Sequence, residues 1–193
     1  MFAANLKYKE MKRICAIILM MFVWFASFSQ APMTFKGYEL NCTAKELSTK
    51  LVKQGFELVD VVLDMYNLKG TFAGENSRIM IMGDSDSKLV TNIMVHFDKV
   101  DDWNMLRNKY MLFKADLAKK YGEGESTEKF TEPYRDGDGN ELEALSSEKC
   151  TYNTRFTAQN GKVVLTISKD HSLLLIYLVD TKKIQEQQRS SDL

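Results

Sequence analysis

The sequence predicts an α+β fold, an antiparallel sheet with helices packed on one face. Three observations carry this. Two segments, one opening at Thr43 and one at Asp101 or Asp102, combine a helix cap with an apolar stripe of helical period. Short apolar stretches with partial alternation follow each of them, punctuated by Gly, Asn, Asp and Ser. The order of helix and then strands occurs twice, which predicts two α-βββ repeats.

The elements follow in order. Phe35 to Leu40 is a short extended or turn segment. Thr43-Ala44-Lys45-Glu46 fits a capping box, with Cys42 and Leu47 placed as a hydrophobic staple. Leu47, Leu51 and Val52 make one apolar face, and Gly55 supplies a left-handed stop. Four strand-like stretches follow: Phe56 to Leu63, Tyr66 to Ala73, Arg78 to Met82 and Leu89 to Phe97. The turn-rich segments Gly74–Ser77 and Asp84–Ser87 connect them into a meander.

The second helix is the stronger one. Trp103, Leu106, Tyr110, Phe113, Leu117 and Tyr121 recur every three or four residues, and Gly122 ends it. Lys119 and Lys120 stand at its C-terminal end, where the helix dipole favours positive charge. The segment Gly122 to Ser147 is polar and reads as a long loop with a short strand at Lys129 to Tyr134. Cys150 to Thr157, Lys162 to Ser168 and Leu173 to Val179 are the closing strands, and Ile184 to Leu193 is a polar tail.

The two halves, about 35–98 and 101–180, can be laid over each other. Gly70 to Ile81 matches Thr154 to Leu165 in character at an offset of 84, with Phe72/Phe156 and Asn76/Asn160 identical. One half buries too little apolar surface to stand alone, and two halves sharing a sheet would solve that.

The first 29 residues read as an export signal. Lys12 and Arg13 form a basic start, Ile14 to Phe25 an uncharged apolar run, and Ala26 to Ser29 a small-residue cleavage site. Cleavage is expected after Ser29, with Met11 as the possible true start, leaving residues 30–193 as a single domain. The apolar run is short for a spanning helix, so no stable membrane span is expected after cleavage. No Cys ends the run, which disfavours a lipid anchor and points to release into the periplasm or the extracellular space. Residues 30–193 carry a net charge of −3, without a basic run interleaved with aromatics, so nucleic-acid binding is not expected. Cys42 and Cys150 remain. An oxidising compartment permits them to pair, and small buried thiols are the other reading.

Several segments carry a resemblance: Phe35–Leu47 (FKGYELNCTAKEL), Leu68–Gly74 (LKGTFAG), Leu117–Gly124 (LAKKYGEG), Asn160–Ile167 (NGKVVLTI) and Leu173–Asp180 (LLLIYLVD). Together they resemble a group of uncharacterised small exported proteins of Gram-negative anaerobes. The twice-repeated helix-plus-strands plan is also similar to beta-lactamase inhibitor protein and to small outer-membrane assembly lipoproteins. The resemblance covers nearly all of residues 35–180 and is one of pattern. It implies helices on one face of a sheet and a protein-binding role. No inhibitory residue matches by position, and the missing lipid-anchor Cys departs from the assembly lipoproteins.

Motifs for chemistry are sparse. His96 lies between Val95 and Phe97 in a strand, and His171 lies in a turn, so both are expected to be structural. There is no G-x-S-x-G, no H-E-x-x-H and no phosphate-cradling loop. Asp136, Asp138 and Asn140 fit a calcium loop, but Glu141 stands where Gly is needed and Ser147 where Glu is needed. A looser site would use Asp136, Asp138 and Glu143, and a solvated turn is the simpler reading. No catalytic residue, metal site or cofactor is therefore assigned. Met105, Met111 and Leu112 lie off the helical stripe, and Tyr38, Tyr66, Tyr134 and Tyr152 are candidates for a partner surface. The expectation is an exported, non-enzymatic binding module of the cell envelope that recognises a protein. A binder of a small ligand or cell-wall fragment is the alternative, and a carboxylate-dependent hydrolase a third.

Overall fold

The computed structural model describes residues 32–191; the leader, its cleavage site and Met11 lie outside the described residues. A two-residue hairpin opens the domain, β1 (Thr34–Phe35) and β2 (Tyr38–Glu39). Then come α1 (Ala44–Lys53), β3 (Glu57–Val62), β4 (Met65–Phe72), β5 (Glu75–Gly83) and β6 (Val90–Phe97). The second half is α2 (Trp103–Tyr121), β7 (Glu125–Phe130), α3 (Glu141–Ser146), β8 (Cys150–Ala158), β9 (Gly161–Ile167), β10 (Leu173–Val179) and α4 (Thr181–Ser191). Strands β3 to β10 form one antiparallel sheet in the order β3-β4-β5-β6-β10-β9-β8-β7. Each half contributes a meander of four neighbouring strands, one more than the α-βββ expectation, and β6 pairs with β10 at the seam.

Local chemistry explains the helices. Thr43 Oγ1 accepts from the Glu46 N–H at 3.2 Å, and the Glu46 carboxylate accepts from the Thr43 N–H at 2.9 Å, closing the capping box. Cys42 and Leu47 are both buried beside it. Gly55 has φ +95 and turns the chain out of α1. The Asp102 carboxylate caps α2 through the Met105 N–H at 2.8 Å.

Both helices bury their stripes on the same sheet face. The inward strand residues are Leu68 and Phe72, Ile79 and Ile81, Ile93, Val95 and Phe97, with Leu173, Leu175 and Tyr177 on β10 and Val163 and Leu165 on β9. Leu47 and Leu51 of α1 and Leu106, Tyr110 and Leu117 of α2 complete this core. Aromatic edges fix the contacts of α2: Phe113 meets Phe97 at 4.9 Å, and Trp103 and Tyr110 meet Tyr152 at 5.1 and 5.4 Å. Each such side chain withdrawn from water contributes about 1.5–3 kcal/mol before chain entropy is subtracted.

Three expectations are corrected. The strand expected at Lys129–Tyr134 lies at Glu125–Phe130, because Pro133 cannot donate to a ladder and Phe130 is the residue that pairs with Cys150. The expected loop contains helix α3, which buries Ala144 and Leu145. The residue match at an offset of 84 does not survive pairing. The first hairpin turns at Ala73–Gly74 and the second at Gln159–Asn160, two residues later than that offset requires. A slip of two preserves the side of the sheet, so Phe72 and Phe156 still both face the core.

Candidate functional site

The second sheet face, turned away from α1 and α2, is built by the opposite parity of the same strands. Register aligns Asn67, Met80, Met94, Ile176, Val164 and Arg155 in one row across six strands. The rows beside it run Lys69, Arg78, His96, Leu174, Thr166 and Met82, Asn92, Leu178, Lys162. A solvated face of an antiparallel sheet is ordinarily polar. Here the middle row of its four central strands is methionine and aliphatic: Met80, Met94 and Ile176 are half-buried, Val164 is buried, and Leu178 of the next row is 41% exposed. Cationic residues flank the stripe on both sides: Lys69 and Arg78 towards β3, and Arg155 and Lys162 towards β7.

A depression of about 470 Å³ opens on this face over Met80 and Met94, with Val59, Asp60, Lys69, Arg78 and His96 around it. Beside it, His96 Nε2 lies 2.6 Å from Ser172 Oγ and 3.2 Å from Asp170 Oδ2. Ser172 Oγ donates to Asp170 Oδ1 at 2.6 Å. Burial pushes the Asp170 carboxyl up, but donors from Ser172 and Ser168 and the neighbouring His96 hold it below its usual range. This is not a nucleophilic triad. Serine and aspartate share one ring nitrogen, and Ser172 is only 1% exposed.

A second cluster has the triad connectivity. His171 Nδ1 lies 3.0 Å from Asp101 Oδ1, and its Nε2 lies 2.8 Å from Ser146 Oγ. The serine hydroxyl is also 3.0 Å from the Leu142 carbonyl of its own helix. The N–H groups of Ser147, Glu148 and Lys149 are bonded to the carbonyls of Glu143, Leu145 and Ala144. Those amides are therefore not free to stabilise an oxyanion at Ser146. The cluster ties the start of α2, the β9–β10 turn and the end of α3 together. Lys99 and then His171 hold the Asp101 carboxyl below its usual range.

The sequence-predicted residues fall elsewhere. Tyr152 is 4% exposed, in the aromatic cluster under α2, and so cannot join a partner surface. Tyr38, Tyr66 and Tyr134 are half-buried and pack against the core; Lys50 Nζ lies 5.3 Å from the Tyr38 ring, and the Tyr134 hydroxyl donates to Glu143. The four tyrosines do not form one surface. Cys42 and Cys150 are free and buried. The register sets Cys42 beside the Val90 end of β6 and Cys150 at the opposite end of the sheet, so they do not pair. Burial raises both thiols, Cys150 to about 12 with Asp136 and Glu141 adding to it. In the acidic loop, Asp138 accepts from the Arg135 and Asn140 N–H groups, Asp136 pairs with Arg107 at 3.4 Å, and Glu143 accepts from Tyr134. These carboxylates bind their own surroundings as a turn.

On the helix side, Met105 and Leu112 are 65% and 68% exposed, while Met111 packs partly on the core. Met105 and Leu112 border a groove of about 740 Å³ along α2 that Lys109, Asp116 and Lys120 interrupt. The outer-face stripe has no such break over its four central strands. Its signal in the sequence was Leu173–Val179, apolar at every position and therefore apolar on both faces. No helix among the described residues is long and apolar enough to cross a membrane. Fold and surface define a class: an α+β domain with one helix-covered sheet face and an outer face that carries one apolar row between polar ones. No known protein family, curated protein or solved structure matches the chain.

Proposed function

We propose that the chain is an exported, non-enzymatic binding module that holds a protein partner on the outer face of its sheet. The observation that supports this reading most is the methionine and aliphatic row across β5, β6, β10 and β9. Contiguous apolar surface is costly in water and marks an interaction site. Methionine side chains adapt to a partner's shape, and the flanking cations set orientation. The leader supports export, and the resemblance to envelope binding proteins agrees in plan.

The test is capture from envelope extract with the natural chain and with a Met94→Asp, Ile176→Asp variant. A partner retained by the first and lost by the second supports the reading. No partner, or one held equally by both, overturns it. A second reading has its own observation: the depression over Met80 is of small-ligand size and edged by Lys69, Arg78 and His96. A thermal-shift screen of anionic small molecules checks it, and Arg78→Ala should abolish any shift found.

A further inference from the structure

We propose that β3 is a self-association edge, and that two copies of the chain join β3 to β3, antiparallel, into one continuous sheet. The inference goes beyond the outer-face reading and stands without it. An edge strand presents unpaired N–H and C=O groups, and proteins blunt such edges with charge, proline or a covering element. The β7 edge is blunted in this way. It reads Glu-Ser-Thr-Glu-Lys-Phe, and Glu128 is tied to Lys114 of α2 at 2.6 Å. The β3 edge is not. It reads Glu-Leu-Val-Asp-Val-Val, without lysine or proline. Leu58, Val59, Val61 and Val62 are 43–55% exposed, on both faces of the strand. Beyond them Leu63 is 92% exposed at φ +48, followed by Asp64 at φ +63. Such a two-residue turn suits Asn or Gly. A leucine held there does no internal packing.

The strand is complementary to itself. A bulge in β3 leaves Leu58 and Val61 on the helix-covered side and Glu57 and Val62 on the outer side, so a two-fold axis through it sets Leu58 opposite the second copy's Val61 and Glu57 opposite its Val62. Val59 then faces the second copy's Asp60, and Leu63 the start of its strand at Phe56. Each strand carboxylate faces a valine, and no like charges stand directly opposite. Both are already held on their own sheet: Glu57 by Lys69 at 3.0 Å, and Asp60 by the Asn67 amide. An axis normal to the sheet keeps the two outer faces on one side. The depression bordered by Val59 and Asp60 then lies at the junction. The contact is isologous and uses up both β3 edges, so assembly stops at two copies.

Sedimentation equilibrium of the purified protein over a concentration series tests this. The expected result is a mass twice that of one chain. Val61→Lys should weaken association at least ~10-fold, as loss of a central interface anchor does. Leu63→Asn lies in an exposed turn that favours asparagine, so it folds, and it should weaken association several-fold. Amide exchange in β3 should slow as the protein is concentrated, and this should vanish in Val61→Lys. A monomer at every concentration up to ~1 mM overturns the proposal. So does a dimer unchanged by either substitution, or β3 exchange that is independent of concentration.

Discussion

The two halves of the sheet are built on one plan but secured unequally. In each, a capped helix precedes four antiparallel strands. In the first half, α1 has ten residues and lies over β3, β4 and β5. In the second, α2 has nineteen, reaches β8, β9 and β10, and sends Lys114 to the β7 edge. Polar bonds follow the same division. Tyr110 and Ser126 both bond Thr154 between α2, β7 and β8, and burial pushes the Tyr110 hydroxyl up to about 12. The longer helix thus fastens its own edge, and the shorter one leaves its edge bare. Unequal cover, on a shared topology, turns one half into the anchor and the other into the accessible side.

The hairpin turns give the largest test of this inequality. A Cβ at Gly161 (φ +151) would stand 2.1 Å from the Leu178 carbonyl and 2.8 Å from Met33 Cε, whereas one at Gly74 (φ +84) meets nothing within 4 Å. Gly161→Ala should cost at least ~3 kcal/mol in urea unfolding, and Gly74→Ala about 1 kcal/mol for the left-handed backbone alone. Equal losses would break the comparison at its seam.

Helix caps give a medium effect. Thr43→Ala and Asp102→Ala should each cost about 1 kcal/mol. Amide exchange should separate them. The short α1 should fray along its whole length, while α2 should open only in its first turn. Uniform protection of α1 in Thr43→Ala would remove the distinction.

Acid gives the smallest effect. Three carboxylates near the surface are held below their usual range: Glu46 by the Thr43 N–H, Asp84 by the Ser87 N–H, and Asp101 by Lys99. Their folded values lie below the unfolded ones of about 4, so their stabilisation is fully present above pH ~5. It is lost as pH falls through the folded values. The urea midpoint should decline below pH ~4, and Asp84→Asn should flatten that decline. An unchanged acid limb in the variant would show that the Asp84–Ser87 turn contributes nothing.

Much of this was legible in the residues. Helix caps act over three or four positions: Thr43 was legible outright, and the second cap was narrowed to Asp101 or Asp102, of which Asp102 is the one. Alternation located most strands and the core, because parity is a local property. What failed depended on distance. Tyr152 looked like a surface tyrosine until β8 was paired and its parity set it under α2. The cysteines share a compartment, but only register reveals that they occupy opposite ends of the sheet. Helix α3 is six residues long, too short for a period to show. The outer-face stripe was invisible as a unit, since Met80, Met94, Ile176 and Val164 come from four strands and become neighbours only by pairing. The bare β3 edge was likewise hidden, because sequence does not say which strand is outermost.

Strand β10 has a consequence for how the molecule comes into being. It is the last strand among the described residues and lies in the middle of the sheet, between β6 and β9. A chain emerging N-terminus first therefore makes one whole meander and one that lacks its last strand. Until Leu173 to Val179 arrive, Ile93, Val95 and Phe97 form a raw apolar flank, and the strand pairs that close it span long stretches of sequence. Until that keystone is in place, the two meanders share no seam. The sheet locks only when this segment is free to fold back between them.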